Sequence, residues 1–405
     1  MIEFPSNFLW GAATSAYQVE GNNTHSDWWH WEKETGKENS GSACRHYELY
    51  ARDFDLAQNL HHNTHRFSIE WGRIEPEEGK FSRDELNHYL DVILTLRSRN
   101  IEPMVTLHHF TNPDWFSTSI GWENNISNAY FLRYCDFVVR ALAKHIRYWI
   151  TINEPTIYLS HAYILGVWPP QKKSYTKAKA VADNLASAHA GTFRRIHAIY
   201  KESGLPRPAV GIAQHMQAFV PCTPAIKNRL AAYMRNKWYN FGLLDKLTRE
   251  GTLDFIGINY YSRQLVDLKK WGLNNLAKDI CQQNHHPLKR NSLGWEIYPD
   301  GLYDLLLELK KYRLPVIITE NGICTGDDGL RWKYIYAHLN SIHRALENGV
   351  PVTGYLYWSL LDNFEWDKGF APRFGLIDID YTSYTRTVRE SAVKFGQTCK
   401  TGILE

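Results

Sequence analysis

The sequence predicts a single-domain α/β protein, a parallel (β/α)8 TIM barrel with loop insertions over residues 1–405. Three observations carry this reading. Eight short apolar runs recur along the chain, amphipathic stretches lie between them, and polar residues gather where the runs end. Eight buried strands alternating with helices suit a closed barrel. A doubly wound sheet is the alternative, but no glycine-rich phosphate loop follows the first run. A barrel needs ~250 residues, so the rest of the chain must be inserted loops.

The first four runs are FLWGAATSAY from Phe8, THRFSIEW from Thr64, EPMVTLHHF from Glu102 and RYWITINEP from Arg147. AVGIAQHM from Ala209, LDFIGINYY from Leu253, PVIITENG from Pro315 and VTGYLYWSLLD from Val352 complete the set. Each is about the length of a buried strand. Between them, ELNHYLDVILTLRSRN, NAYFLRYCDFVVRALAKH and GLYDLLLELKKYR repeat apolar residues every three or four positions, one face of a helix. The run ends carry Gln18, the His108–His109 pair, Asn153 and Glu154, His215, Asn259 and Tyr261, Glu320 and Asn321, then Trp358 with Asp362 and Asn363. Arg66 lies inside the second run. In a parallel barrel these ends share the C-terminal rim, where such folds place their sites. Turn formation and helix capping give a plainer reason for single residues such as Asp362.

Hydrophobic residues make up 44% of the chain, enough for a substantial core and too many for global disorder. Lys plus Arg (46) nearly balances Asp plus Glu (43), which argues against a charge-driven nucleic-acid binder. No stretch of roughly 18 apolar residues occurs, so no membrane span is expected. Neither nucleic acid nor membrane is an expected partner. The N-terminus lacks the basic and apolar regions of a secretory leader. Six scattered cysteines without CxxC spacing read as reduced thiols, not a disulfide frame. The cytoplasm is therefore the expected compartment. The 15 Trp, 24 Tyr and 17 Phe favour a site that grips flat, hydroxylated ligands such as sugars.

Glu154 and Glu320 end the fourth and seventh runs in related contexts, ITINEP and VIITENG. In an eight-stranded barrel those ends face each other across the mouth. Such a pair is the minimal equipment for cleaving a glycosidic bond: one carboxyl protonates the leaving oxygen, the other attacks carbon or activates water. Carboxyls ~5–5.5 Å apart would imply retention of configuration. The plainer reading has each Glu capping a helix or pairing with an Arg. Two such residues, each beside an Asn, favour the chemical one. Adjacent histidines (His61–His62, His108–His109, His285–His286) point to opposite faces in a strand and chelate poorly. No HExxH pattern is present, so no metal and no cofactor is expected.

The motifs FLWGAATSAYQVEG, RFSIEWGRIEP, TINEP, DFIGINYY, ITENG and YWSLLDNFEW…GFAPRFGL together resemble glycoside hydrolase family 1 over residues 4–391. The resemblance implies a retaining, exo-acting β-glycosidase on a (β/α)8 barrel, hydrolysing terminal β-D-glucosyl and also β-galactosyl or β-fucosyl O-glycosides. A small-molecule β-glycoside or oligosaccharide would be its partner. By position, Glu154 matches the general acid/base and Glu320 the nucleophile. Gln18, His109, Asn153, Glu365 and Trp366 match the residues that hold the nonreducing sugar, and Trp358 matches its aromatic platform. Arg66, Asn259 and Tyr261 match the shell around the nucleophile, Tyr261 also facing the sugar, and Phe374 matches a rim aromatic. Arg66 and Tyr261 are expected to lower the Glu320 pKa, and Glu154 is expected to stay protonated. A transglycosylase using the same intermediate and an inactive sugar-binding relative are the alternatives.

Some positions depart from the family pattern. Phe110 replaces the usual Trp after the sugar-binding His, keeping an aromatic wall but losing an indole N–H. Thr111 and Asn112 are atypical, and residues 216–254 are shorter than usual, which predicts a more open rim. Glu365 argues against 6-phosphorylated sugars, whose charge it would repel. The SDWWHWE cluster at residues 26–32 reads as loop packing more than as an aglycone wall. Trp168 on a rim loop is the better candidate for aglycone contact.

Overall fold

The computed structural model describes residues 2–269 and 288–405. Eight parallel strands close into a barrel in sequence order. The first four are β1 (Leu9–Ala13), β2 (Thr64–Ser68), β3 (Glu102–Thr106) and β4 (Tyr148–Asn153). The others are β5 (Ala209–Pro221), β6 (Phe255–Val266), β7 (Val316–Asn321) and β8 (Val352–Trp358). Each matches one of the apolar runs. Pairing of β1 with β8, Leu9 opposite Gly354 through Ala13 opposite Trp358, completes the closure.

The barrel interior is layered. Met104, Ile150, Ala213, Phe255, Ile317 and Leu356 form a separate buried apolar cluster, with Leu9, Tyr148 and Ala209 packed against it. These residues come from seven of the eight strands, as inward-facing barrel positions do. Nearer the C-terminal ends the buried side chains turn polar: Arg66, Thr106, Asn153, Asn259 and Thr319. A buried polar layer persists only where its members satisfy one another, and these do, as the site geometry shows.

The three predicted helices form, and others join them around this barrel. They include α1 (His46–Asn59), α2 (Arg83–Ser98), α3 (Ser127–Leu142), α4 (Tyr175–Glu202), α5 (Ile226–Arg235), α6 (Gly242–Arg249), α7 (Pro299–Leu309), α8 (Asp328–Glu347) and α9 (Glu390–Thr401). Helix α3 buries Phe131, Tyr134, Cys135, Val138, Val139 and Leu142, the stripe its spacing foretold. Ser82, Ser174 and Asp327 cap α2, α4 and α8 by accepting from Glu85, Lys177 and Leu330 backbone N–H groups. After β8 a short antiparallel hairpin pairs Ile377–Ile379 with Arg386–Val388, and Ile2–Glu3 pairs with Ile403–Leu404 near the chain ends.

The cysteine expectation needs correction. Cys44, Cys135, Cys324 and Cys399 are free and buried, as predicted, but Cys222 is disulfide-bonded. Bridging depends on Cα separation and side-chain direction, which scattered sequence spacing does not reveal. Cys281 and the His285–His286 pair lie outside the described residues. Among the described residues no helix is long and apolar enough to cross a membrane.

Candidate active site

Local irregularities aim the functional side chains. The pairing register shifts between Ile150 and Asn153 at the end of β4, between Ile258 and Asn259 in β6, and between Ile318 and Asn321 in β7. Bulges of this kind turn a side chain out of the regular alternation and recur beside active sites. Glu154 follows β4 with φ 43°, in the left-handed region, and Pro155 opens a short helix behind it. After β7, a Cβ on Gly322 would stand 1.8 Å from the Trp358 carbonyl oxygen, so only glycine lets these two strand ends pass.

The two glutamates are held differently. Arg66 Nη1 donates to Glu320 Oε1 at 2.6 Å, and the Tyr261 hydroxyl donates to Glu320 Oε2 at 2.6 Å. Glu154 Oε1 accepts from Asn259 Nδ2 at 2.7 Å. Asn153 Oδ1 links the two halves, accepting from Arg66 Nη2 (2.6 Å) and from Asn259 Nδ2 (3.0 Å). The Thr106 hydroxyl accepts from Arg66 Nε, and the Thr319 hydroxyl donates to Asn259 Oδ1, completing the net. Asn153 Nδ2 donates to His109 Nε2 at 3.2 Å. That bond leaves the His109 proton on Nδ1, which has no partner although buried.

A cavity of about 230 Å³ opens on this net. His109, Asn153, Glu154, Tyr261, Glu320, Trp358, Glu365, Trp366 and Phe374 line it, so nine of the predicted site residues come together. Arg66 and Asn259 bond the lining carboxylates without joining the lining. Gln18 does not itself line the cavity but bonds the loop that does. Its Nε2 donates to Asn363 Oδ1 (3.0 Å) and the Phe364 carbonyl (2.8 Å), with Glu365 Oε2 at 3.3 Å, while Oε1 accepts from Ser15. It therefore ties down the loop that presents Glu365. Asp362 is structural, accepting from Arg373, Arg389 and the Gly375 N–H.

The walls also include Phe110, Trp168 and His215, each singled out in the sequence, and Leu293, Trp295 and Lys368, which were not. Phe110 (φ 71°) packs its ring 5.1 Å from Trp168 and 5.2 Å from Trp366, so the aromatic wall expected of it is present. Trp168 Nε1 donates to Asp367 at 2.9 Å. Trp28 of the 26–32 cluster is buried against Trp31, Trp168 and Trp366, the packing role predicted for it. His215 stacks near Tyr261 (centroids 6.3 Å, 19°), with the Tyr239 hydroxyl 2.8 Å from Nδ1. The shortened 216–254 region carries α5 and α6 behind this wall. Leu293 and Trp295 belong to no run or motif, so nothing local marked them.

Burial governs the electrostatics. Desolvation raises Glu154 well above the usual carboxyl range, and the neighbouring Glu320 raises it further. Glu320 is also raised by burial, although Arg66 and Tyr261 act to lower it, as expected of them. Its loss of water outweighs the Arg66 charge and the Tyr261 and Arg66 hydrogen bonds. The order of the pair stands on cause: Glu320 has a cation and a phenol on its own oxygens, whereas Glu154 has one amide. Glu365 is pushed up to about 8 by burial and then by Glu320 and Asp367. Burial also pushes His215 down to about 3 and His109 well below the usual range, so both imidazoles are neutral.

Fold and site together place the chain among parallel-barrel enzymes that work with paired carboxylates at their strand ends. The family model for glycosyl hydrolase family 1 matches residues 1–252 and 241–402, and the chain belongs to that family. Among its relatives, a 1,4-beta-D-glucan glucohydrolase from Thermotoga neapolitana is 30% identical, covering 99% of each chain. A beta-galactosidase from Pyrococcus woesei is 29% identical over 96% of this chain and 95% of that one. The fold superposes on a beta-glycosidase from Pyrococcus horikoshii with TM-score 0.93 at 36% identity, covering 100% of this chain and 96% of that chain. A beta-glucosidase from Thermotoga maritima in complex with glucoimidazole gives TM-score 0.90 at 29% identity, covering 99% of both.

Proposed function

We propose that this chain is a retaining, exo-acting β-glycosidase that hydrolyses terminal β-glucosyl, β-galactosyl or β-fucosyl O-glycosides, acting as one catalytic barrel domain. The observation that carries the reading is the asymmetric hold on two carboxyls in one cavity: Glu320 by Arg66 and Tyr261, Glu154 by Asn259. The first proton to leave the pair leaves Glu320, because its partners stabilise an anion. Glu320 then attacks the anomeric carbon while Glu154 protonates the departing oxygen. Esterification removes the Glu320 charge that had helped raise Glu154, so Glu154 becomes a base for the incoming water. Water displaces Glu320, and two inversions restore the starting configuration.

The remaining roles follow from placement. The His109 Nδ1–H, unpartnered and buried, supports a donor role toward a sugar hydroxyl. Glu365 offers two oxygens to neighbouring hydroxyls, and Trp358 and Phe374 offer apolar faces to ring C–H bonds. Gln18 joins Glu365 in holding the nonreducing sugar, and Arg66 and Asn259 act as positioning residues through Glu320 and Glu154. The relatives named β-glucosidases and β-galactosidases support the same substrate class. A cytoplasmic setting belongs to this proposal; the four free thiols support it and the Cys222 disulfide does not.

Initial rates on nitrophenyl β-glucoside, β-galactoside, β-fucoside and 6-phospho-β-glucoside test the reading, with wild type and Glu320→Gln. Turnover of an unphosphorylated β-glycoside that falls at least about 10⁴-fold in the variant is expected. No turnover of any member by folded wild-type protein would overturn it.

A further inference from the structure

Helix α5 (Ile226–Arg235) and the π-helical turn that continues it (Asn236–Phe241) are inverted relative to an ordinary surface helix. The residues α5 buries are Asn228, Ala231, Ala232 and Arg235. The two alanines pack on Val266 and Leu268, with Phe219 beside them. The outward side carries Ile226 (83% exposed), Leu230 (42%), Tyr233 (59%), Met234 (40%) and Trp238 (59%). Their spacing of three to four residues puts them on one face. A contiguous exposed apolar face marks a surface that meets another body.

The charge on that face selects the body. Lys227 and Arg229 are exposed among the apolar residues, with no ion pair among the described residues. Lys237 is half-buried and reaches Glu308 at 3.1 Å. No Asp or Glu occurs in the sequence between Glu202 and Asp245. A two-fold contact with a second copy would set this basic face of one protomer against the same basic face of the other. An anionic leaflet meets both requirements, since its acyl boundary accepts Leu, Met and Trp and its phosphates accept the cations.

We propose that this face docks on an anionic lipid surface, with Ile226, Leu230, Met234 and Trp238 entering the acyl boundary and Lys227 and Arg229 meeting headgroup phosphates. This revises the sequence expectation that no membrane is a partner; the contact is peripheral and needs no spanning helix. The opposite side of the same segment backs the cavity, because Tyr239 bonds His215 and its carbonyl accepts from Gln214 Nε2 at 3.1 Å. A docked chain would therefore hold its cavity wall close to the lipid.

Flotation of the full chain with vesicles tests this, comparing phosphatidylglycerol mixed with phosphatidylcholine against phosphatidylcholine alone. Binding to the anionic vesicles is expected to exceed binding to the neutral ones at least about tenfold and to fall with added salt. Lys227→Glu with Arg229→Glu removes that preference, and Leu230→Ser with Met234→Ser weakens binding to both vesicle types. Thermal melts monitored by circular dichroism show that each variant is folded. Absence of the full chain from the anionic vesicle fraction overturns the proposal. So does a concentration-dependent dimer in sedimentation velocity that Leu230→Ser abolishes, since that assigns the face to a second copy.

Discussion

Arg66 and Glu320 form a buried ion pair across the barrel interior, Nη1 to Oε1 at 2.6 Å, although 254 residues separate them in sequence. The same guanidinium bonds Asn153, the neighbour of Glu154. One cation on β2 thus touches both the β4 and β7 ends, and the charge state of the carboxyl pair depends on it.

The pH profile should report that dependence. Activity needs Glu320 ionised and Glu154 protonated, so kcat/KM rises as Glu320 loses its proton and falls as Glu154 does. Both groups are raised by burial, which places the ascending limb above pH 4.5, the ordinary value. Arg66→Gln removes the cation opposing that rise and should move the ascending limb to higher pH by about one unit or more. An unmoved limb in active Arg66→Gln protein would show that Arg66 serves structure alone.

Glu154→Gln separates acid from nucleophile. Substrates with alkyl leaving groups need a proton on the departing oxygen and should slow by about 10²–10⁴-fold. Dinitrophenyl glycosides leave without one, so their first step should survive and a burst should appear before slow deglycosylation. Rapid-mixing absorbance on the two substrate types makes the measurement.

Glu365 should exclude phosphorylated sugars in a pH-dependent manner. Burial pushes its carboxyl up to about 8, which leaves it mostly neutral below that pH and anionic above it. The ratio of glucoside to 6-phosphoglucoside kcat/KM should therefore increase as pH passes through about 8 in wild type. Glu365→Gln should flatten that trend and, above about pH 8, lower the ratio at least about tenfold, since like-charge repulsion is lost there.

Arg386 and Asp53 form an ion pair from which solvent is excluded on both sides, Nε to Oδ1 at 2.8 Å, with His46 on the other carboxylate oxygen. Removing one partner strands the other charge without water. Arg386→Gln should destabilise the fold by about 3–5 kcal/mol, read as a fall in denaturant midpoint. A loss below about 1 kcal/mol would mean that the pair behaves like a surface bridge.

Glu70 offers a stability test outside the cavity. Among the described residues its carboxyl accepts only from the Thr111 hydroxyl, and burial, then Glu20, push it up to about 8 from 4.5. A raised carboxyl stabilises the fold fully below its unfolded pKa, and that contribution is lost as pH rises through the folded one. Glu70→Gln cannot ionise. Its Tm relative to wild type should therefore rise between pH 4.5 and about 8 and level off above.

Strand identity was readable because it is local. A buried parallel strand is an apolar run, and each of the eight runs became a barrel strand. Strand ends were readable for the same reason: Asn153, Glu154, Asn259, Glu320 and Trp358 interrupt apolar runs, and a parallel barrel brings such interruptions to one rim. Leu293 and Trp295 carried no such signal, since their place in the wall depends on how an inserted loop folds back over β6 and β7. The exposed face of α5 was equally hidden. Its apolar spacing reads like that of any core-facing helix, and sequence does not say which side turns inward.

The sequence alone determined the barrel, the order of its strands and the candidate carboxyl pair, because hydrophobic period and chain order are properties of neighbouring residues. Tertiary structure alone decided the rest. It bonded Gln18 to the loop that carries Glu365 and drew Cys222 into a disulfide. It also set desolvation at Glu320 against the arginine and the tyrosine that favour its anion. Each outcome depends on what surrounds a side chain after water has left, and desolvation sums over residues distant in the chain.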